Sequence, residues 1–462
     1  MVKMPGWSSL YRWIFFASLA GITVLISAEC RKFVEIDQPD KGTLVNTADY
    51  ESLLNNTFDI NYSYYLPWLS ADDLDISDTS VQQQVWGTDR EVYIWAADFM
   101  GDQNDPDWDR LYKQVYIFNE IIAGIPESRN GSPQQKRQIL AEAKMNRAYS
   151  YLDLVCMYAR WYNPSTAAGD PGVPLLLMPS FTEKLFRASV QAVYGQIIND
   201  LKAALPDLPA LPLQVTRASA AAAYATLART YLNMGNYRDA LASADSALAR
   251  KSSLLNLSLY RSDPLPLATI HPEIIFYKQL SPGPLSFYPL SEGLQHLFSP
   301  EDLRWQLFTA DGLTHGRPAF SGRCLVRSQL SGEGISVGPD VPEMMLIKAE
   351  CLARLGAFTE AMTTVNTLRR QRFSRDHYLP LAANNSTEVL QLVLQERRRE
   401  LFGRGTRWFD QKRLNREPAF SKTTIRIFLG VSYMLEPNSN RYVFPIAKKY
   451  LAMNPEIVQN PR

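Results

Sequence analysis

Apolar residues recur at three- and four-residue intervals over long stretches of this chain: Trp108 to Ile125, Gln134 to Ala159, Ser189 to Leu205 and Ala218 to Ala249. That period traces one face of an α-helix and not the two-residue alternation of a strand, so the scaffold is expected to be mainly α. Start and stop signals agree. Ser132-Pro133 and Ser189 offer N-caps, and Pro206 closes the helix before it. With 46% apolar and 21% charged residues, the 462-residue chain has the composition of an ordinary globular protein and enough length for a large core.

Ala218 to Ala249 carries a finer pattern. Ala228, Tyr231, Gly235, Tyr237, Ala240 and Ala247 fall where a tetratricopeptide repeat places its small and large residues. Small residues let two antiparallel helices approach closely, large aromatics fill the space beside them, and a glycine permits the tight turn between. A second copy follows in Met344 to Gln371, at Ala349, Leu352, Gly356, Phe358 and Ala361. An Ala-rich helical hairpin without repeat ancestry is the alternative. Between the hairpins, Ser252 to Asp340 is rich in Pro, Gly and Ser and reads as loop and short strand. Trp68 to Met100 has a similar character. Loops laid over a rigid scaffold are where recognition usually resides.

The N-terminus reads as an address. Lys3 and Arg12 precede an uncharged run from Trp13 to Ile26, which ends in Ser27 and Ala28 before Cys30. This is the shape of a secretory signal. It is shorter than the roughly 20 apolar residues that span a bilayer. Residues 1–29 are therefore expected to be a removable leader, with 30–462 as one domain holding a loop-rich insertion at about 252–340.

Several chemistries find no support. Lys plus Arg (48) nearly balance Asp plus Glu (47), so no net field attracts a nucleic-acid backbone. His271, His296, His315 and His377 are isolated, and none has metal-ligand spacing. Gly332, Gly334 and Gly338 miss both the dinucleotide and the P-loop spacing, and no G-x-S-x-G elbow occurs. Besides Cys30 the cysteines are Cys156, Cys324 and Cys351, without a C-x-x-C pair. Cys156 and Cys351 lie in amphipathic stretches and read as small buried hydrophobes. Asp102, Asn104, Asp105, Asp107 and Asp109 crowd one turn but lack the calcium-loop spacing; Asp105 as N-cap with Pro106 behind it explains them more simply. No cofactor or metal is expected.

Against this background, motifs in a fixed order resemble the SusD/RagB family over nearly all of the chain after the leader. Leu25 to Cys30 resembles a lipobox, although Glu29 stands where Gly or Ala is usual, and Lys32-Phe33-Val34-Glu35-Ile36-Asp37 is similar to the family's opening. Ala141 to Tyr149 with Asp153-Leu154-Val155 looks like its long second-helix motif, followed by Gly172-Val173-Pro174-Leu175 and by Arg187 to Pro206. Ile347 to Arg372 matches the next element. Glu396-Arg397-Arg398-Arg399-Glu400-Leu401 with Gly405, Arg407-Trp408-Phe409-Asp410 and Arg413 resembles the family's arginine-rich helix. Phe444-Pro445-Ile446, Asn454-Pro455 and Gln459-Asn460 resemble its closing strand and tail. From the residues alone, Glu396 and Glu400 stand four apart among arginines, so charge pairs between packed helices are expected there.

The resemblance implies a SusD-like scaffold of tetratricopeptide-type helix pairs with loop-rich and short-strand insertions. It implies a lipid on Cys30, a place on the outer surface of an outer membrane, and binding without catalysis. The ligand would be an oligosaccharide, or in some members a peptide, handed to a SusC-type TonB-dependent transporter. Trp68, Asp72, Asp73, Trp86, Arg90, Tyr93 and Trp95 combine aromatic surface with polar groups and are the ligand-binding candidates. Two other classes stay open: a tetratricopeptide adaptor for a protein partner, and a surface glycosidase, which needs only two well-placed carboxylates.

Overall fold

Ten helices of nine residues or more carry the fold in the computed structural model, which describes residues 44–180, 182–281, 288–326 and 333–462. They are α1 (Thr47–Asn55), α2 (Pro106–Gly124), α3 (Pro133–Tyr158), α4 (Val190–Ala204), α5 (Ala220–Asn233), α6 (Tyr237–Leu248), α7 (Val341–Arg354), α8 (Phe358–Arg370), α9 (Ser386–Leu401) and α10 (Thr406–Leu414). Asn46–Arg462 forms one compact unit. The expected leader at 1–29 and the lipidation site Cys30 lie outside the described residues.

Polar N-caps begin most of these helices. The side chains of Asp105, Ser132, Ser189, Ser219, Asn236, Asp340 and Asn385 each accept a backbone N–H from the first turn that follows. Each such cap is worth about 1 kcal/mol. Asp105 does what its position before Pro106 predicted, accepting from the N–H groups of Asp107 and Trp108.

Consecutive helices pack as neighbours: α2 on α3, α3 on α4, α5 on α6, α6 on α7 and α7 on α8, with α9 returning to α7. In α5 the face of Ala221, Ala222, Ala225 and Ala228 is buried, and α6 meets it with Ala240, Ala244 and Ala247. Both repeat-like hairpins turn on a left-handed glycine, Gly235 at φ +72° and Gly356 at φ +88°. A side chain in that conformation is strained, which accounts for glycine at the same place in each copy.

The axis of the core is α3. From Ala141 to Tyr158 every residue except Lys144 is buried, so this helix is enclosed and not merely amphipathic. Its charged residues are matched. Arg147 donates to both Asp200 oxygens at 2.8 Å and to Asn119 Oδ1 at 2.8 Å, while Glu142 accepts from Arg217 Nε at 2.6 Å. Cys156, Cys324 and Cys351 are buried free thiols, and burial raises Cys156 to about 11 and Cys351 to about 12.

Strands are few and short among the described residues, paired as three antiparallel hairpins: β1 (Pro171–Pro174) with β2 (Arg187–Ser189), β3 (Thr309–Asp311) with β4 (Arg323–Leu325), and β5 (Thr424–Phe428) with β6 (Val431–Leu435). The described residues of 252–340 run as short helices, the β3–β4 ribbon and irregular backbone. Two expectations need correction. Trp68–Met100 contains short helices at Leu66–Ser70, Thr79–Gln82 and Gly87–Tyr93 where loop and strand were expected. The expected closing strand at Phe444 is irregular backbone that spends its N–H on Met157 O at the end of α3 (3.0 Å), outside any sheet.

Candidate functional site

A lattice of buried ion pairs underlies the irregular segments. Arg304, fully buried, is held by Asp302 at 2.7 Å, Glu396 at 2.8 Å and Glu400 at 2.7 Å. Arg369 and Arg399 converge on Glu396, and Arg372 bridges Glu400 to Glu273. One turn further, Arg413 joins Glu350 to Asp410, which also accepts from Arg397. Burial alone would raise these carboxyls. The arginines overcome it, holding Glu400 at about 2 through Arg372 and Arg304, and Glu350 at about 2 through Arg413 and Arg354. The charge pairs expected between packed helices are present, and they reach beyond α9 into the insertion.

The same arginine helices seize the predicted ligand segment. Asp72 receives Arg407 Nε at 2.6 Å, and Asp73 receives Arg398 Nε at 2.8 Å; both carboxylates are buried. Trp95 is buried and donates its indole N–H to Ser70 O at 2.9 Å. The Tyr93 hydroxyl accepts from Ile76 N at 2.7 Å. Arg426, from β5, lies over both rings, 3.9 Å from the Tyr93 centroid and 4.3 Å from that of Trp95, and donates to Ala71 O at 2.6 Å. Trp68 stacks on Tyr288 at 5.8 Å and is buried. Five of the seven candidates thus brace the segment from inside, where their faces and lone pairs are already engaged.

Trp86 and Arg90 remain. Trp86 is 79% exposed at the N-cap of the Gly87–Tyr93 helix, and Arg90 is exposed one turn on, paired with Glu91. Gln83 and Gln84 are also exposed just before Trp86. Beneath them Asp89 accepts the hydroxyls of Tyr65 at 3.2 Å and Tyr288 at 3.3 Å; burial raises its carboxyl and the two hydroxyls partly restrain it. A free indole face beside amides, a guanidinium and a carboxylate suits a ring with C–H groups on its faces and hydroxyls at its edge.

A second solvent-facing feature lies where α3 ends. The last carbonyls of a helix need outside donors. Here buried Lys412 donates to Cys156 O at 2.7 Å and Ala159 O at 2.5 Å, while Asn460 Nδ2 reaches Tyr158 O and Phe444 O, each at 2.8 Å. Burial lowers Lys412 to about 8. Next to this plug is a cleft of about 310 Å³ whose walls include Trp161, Arg160, Asn163, Arg416 and Asn440. On its lining, Tyr442 Oη and Asn415 Nδ2 are buried without a hydrogen-bond partner in the protein. Burial raises the Tyr442 hydroxyl; Asn415 lies near enough to pull it partly back but short of hydrogen-bond geometry. Nothing in sequence reasoning pointed to this cleft, because its walls come from three distant segments.

The β5–β6 hairpin was missed too, though its signal was legible: alternating residues around Leu429-Gly430, both at positive φ as a two-residue hairpin turn requires. Its inner face places Arg426, Phe428 and Leu435 in the core. Its outer face exposes Ile425, Ile427 and Met434, with Leu429 and Val431 exposed at the tip. Gln82 ties the hairpin to the Thr79–Gln82 helix through Ile427 O and Leu429 N, at 2.8 Å each.

Comparison with known proteins supports a common architecture. A family described as starch-binding and associating with the outer membrane matches residues 33–232, and the SusD family matches residues 342–462. SusD-like protein P38 of Formosa agariphila is 23% identical, with 76% of this chain and 78% of that protein aligned. Among solved structures, a SusD superfamily protein from Bacteroides thetaiotaomicron superposes with a TM-score of 0.75 at 21% identity, covering 90% of this chain and 100% of that one. A SusD-like carbohydrate binding protein from Bacteroides vulgatus gives 0.68 at 18% identity, covering 89% and 97%.

Proposed function

The chain belongs to the SusD/RagB family, and from this membership we propose that it is a surface lipoprotein that captures a glycan and passes it to a SusC-type TonB-dependent transporter in the outer membrane. The observation that carries the ligand class is Trp86. A large ring left 79% exposed, on a segment otherwise locked into the core, is a prepared platform for a sugar face. Arg90, Glu91, Gln83 and Gln84 stand beside it to take hydroxyls. Binding is the whole of the activity in this reading. The anchor is the lipid on Cys30.

A transporter partner is supported by the aliphatic outer face of β5–β6, since a cluster of exposed apolar side chains commonly marks a protein contact. The decisive measurement is calorimetry of the full chain in detergent against a panel of oligosaccharides and peptides, with product analysis run alongside. A glycan should bind with its length unchanged, and Trp86→Ala should weaken it at least tenfold. Binding of peptides alone would replace the ligand class, and cleavage of the glycan would replace binding with catalysis. Mass spectrometry of membrane-extracted protein should find a diacylglyceryl group on Cys30, which Cys30→Ser abolishes.

A further inference from the structure

Among the buried side-chain atoms without a hydrogen-bond partner in the described residues, Tyr442 Oη and Asn415 Nδ2 belong to residues that line the cleft at the end of α3. We propose that this cleft is a second ligand subsite, one that takes an acidic sugar unit bearing a carboxylate or sulfate; the proposal rests on the glycan-capture reading and extends it. The free functional groups here are mostly donors. Tyr442 Oη and Asn415 Nδ2 are buried, unpartnered and on the lining, so each offers a hydrogen bond that the protein itself does not use. Arg160 donates only to the Asn440 amide oxygen, at 3.1 Å, and Arg416 has no acceptor among the described residues. Neither guanidinium meets a carboxylate there, in contrast to the arginines of the α9–α10 lattice. Two unneutralised guanidiniums, an amide N–H and a phenol converging on one space favour an anionic, acceptor-rich group.

The rest of the cleft suits the remainder of a sugar. Trp161 supplies a partly buried ring. Asp170, held by the Thr166 hydroxyl at 2.5 Å, supplies an acceptor for ring hydroxyls. A volume of about 310 Å³ holds one or two sugar rings and not a long chain. Lys412 is anchored on the α3 carbonyls, which hold its ammonium in place without cancelling its charge, so it adds positive field to the cleft but does not turn toward a ligand. Arg441 donates to Trp95 O at 2.7 Å, so the cleft and the Trp86 segment are braced against each other through one side chain.

The test is calorimetry of the full chain in detergent with digalacturonate, galactobiose and a sulfated galactobiose. The acidic disaccharides should bind at least tenfold more tightly than the neutral one, and the better of the two identifies the anionic group. Arg416→Gln and Arg160→Gln should each remove most of that preference. Tyr442→Phe should weaken binding several-fold while leaving the melting temperature unchanged or raised, a combination that a purely structural tyrosine does not produce. Equal binding of acidic and neutral sugars, or acidic binding that survives both arginine substitutions, overturns the proposal. If Trp86→Ala abolishes glycan binding while the cleft variants have no effect, the capture reading stands and the second subsite falls; if no sugar binds at all, both fall.

Discussion

The arginine helices and the cleft at the end of α3 are built from the same kinds of side chain, yet they have opposite states. In the α9–α10 lattice every buried carboxylate has its guanidinium, and the helices are locked. In the cleft an amide, a phenol and two guanidiniums lack such matches, and the space beside them is open. Matched buried charge fixes a frame, because removing either partner strands the other without water. Unmatched polar groups beside an opening are ready for something that arrives from outside. The difference separates residues that hold the protein together from residues that meet a ligand, even when both are arginines.

That contrast can be broken most directly at its strongest point. Glu400→Gln should cost about 3–5 kcal/mol, since Arg304 and Arg372 would each lose a charged partner at 0–1% side-chain exposure. Denaturant unfolding measures it, and a loss below 1 kcal/mol would mean that the lattice is ornamental. Trp95→Ala should cost a similar 3–5 kcal/mol through cavity formation, whereas Trp86→Ala should change stability by no more than about 0.5 kcal/mol while weakening glycan binding. If the two tryptophans behave alike, the division between bracing and platform residues is wrong.

Acid should find the lattice before anything else. Glu350 and Glu400 lie at about 2 in the folded protein against 4.5 ordinarily, so their contribution is complete above pH 4.5 and is lost as pH falls toward 2. Each accounts for about 3 kcal/mol by linkage. Asp105 and Asp153 work in the other sense: burial lifts both to about 7, so they favour the folded chain most below pH 4 and lose that advantage as pH rises to 7. Unfolding free energy measured from pH 2 to 8 should therefore rise steeply up to pH 4.5 and then flatten or dip. Glu350→Gln should shrink the acid limb. Outside both regions, Gly235→Ala should cost only about 1 kcal/mol, by forcing a side chain to φ +72°, which thermal or denaturant unfolding would read.

Local rules made much of this molecule legible. The period of α2 to α6, the caps at Asp105 and Ser132, the paired glycines and the buried cysteines all depend on residues within a few turns of one another. What failed was the solvent side of the Trp68–Met100 segment. Trp95 and Tyr93 look like binding aromatics in sequence, but in the fold both are buried, with Arg426, more than three hundred residues on, lying over their rings. The cleft was invisible for the same reason: Arg160, Arg416 and Asn440 share no local pattern and meet only because Lys412 and Asn460 draw their segments to one helix end. Periodicity reports which face of an element is greasy. It does not report which distant element will cover it.

The plug at the end of α3 also has a temporal meaning. Asn460 donates to Tyr158 O from 302 residues further along the chain, so the end of the central helix is closed by a contact of very long sequence separation. Such a contact forms late in folding, because the chain between its ends has to be brought together before the hydrogen bond contributes anything. The segment that carries Asn460 is in effect a latch: until it arrives the helix end stays open to water, and once it docks the enclosed core is shut.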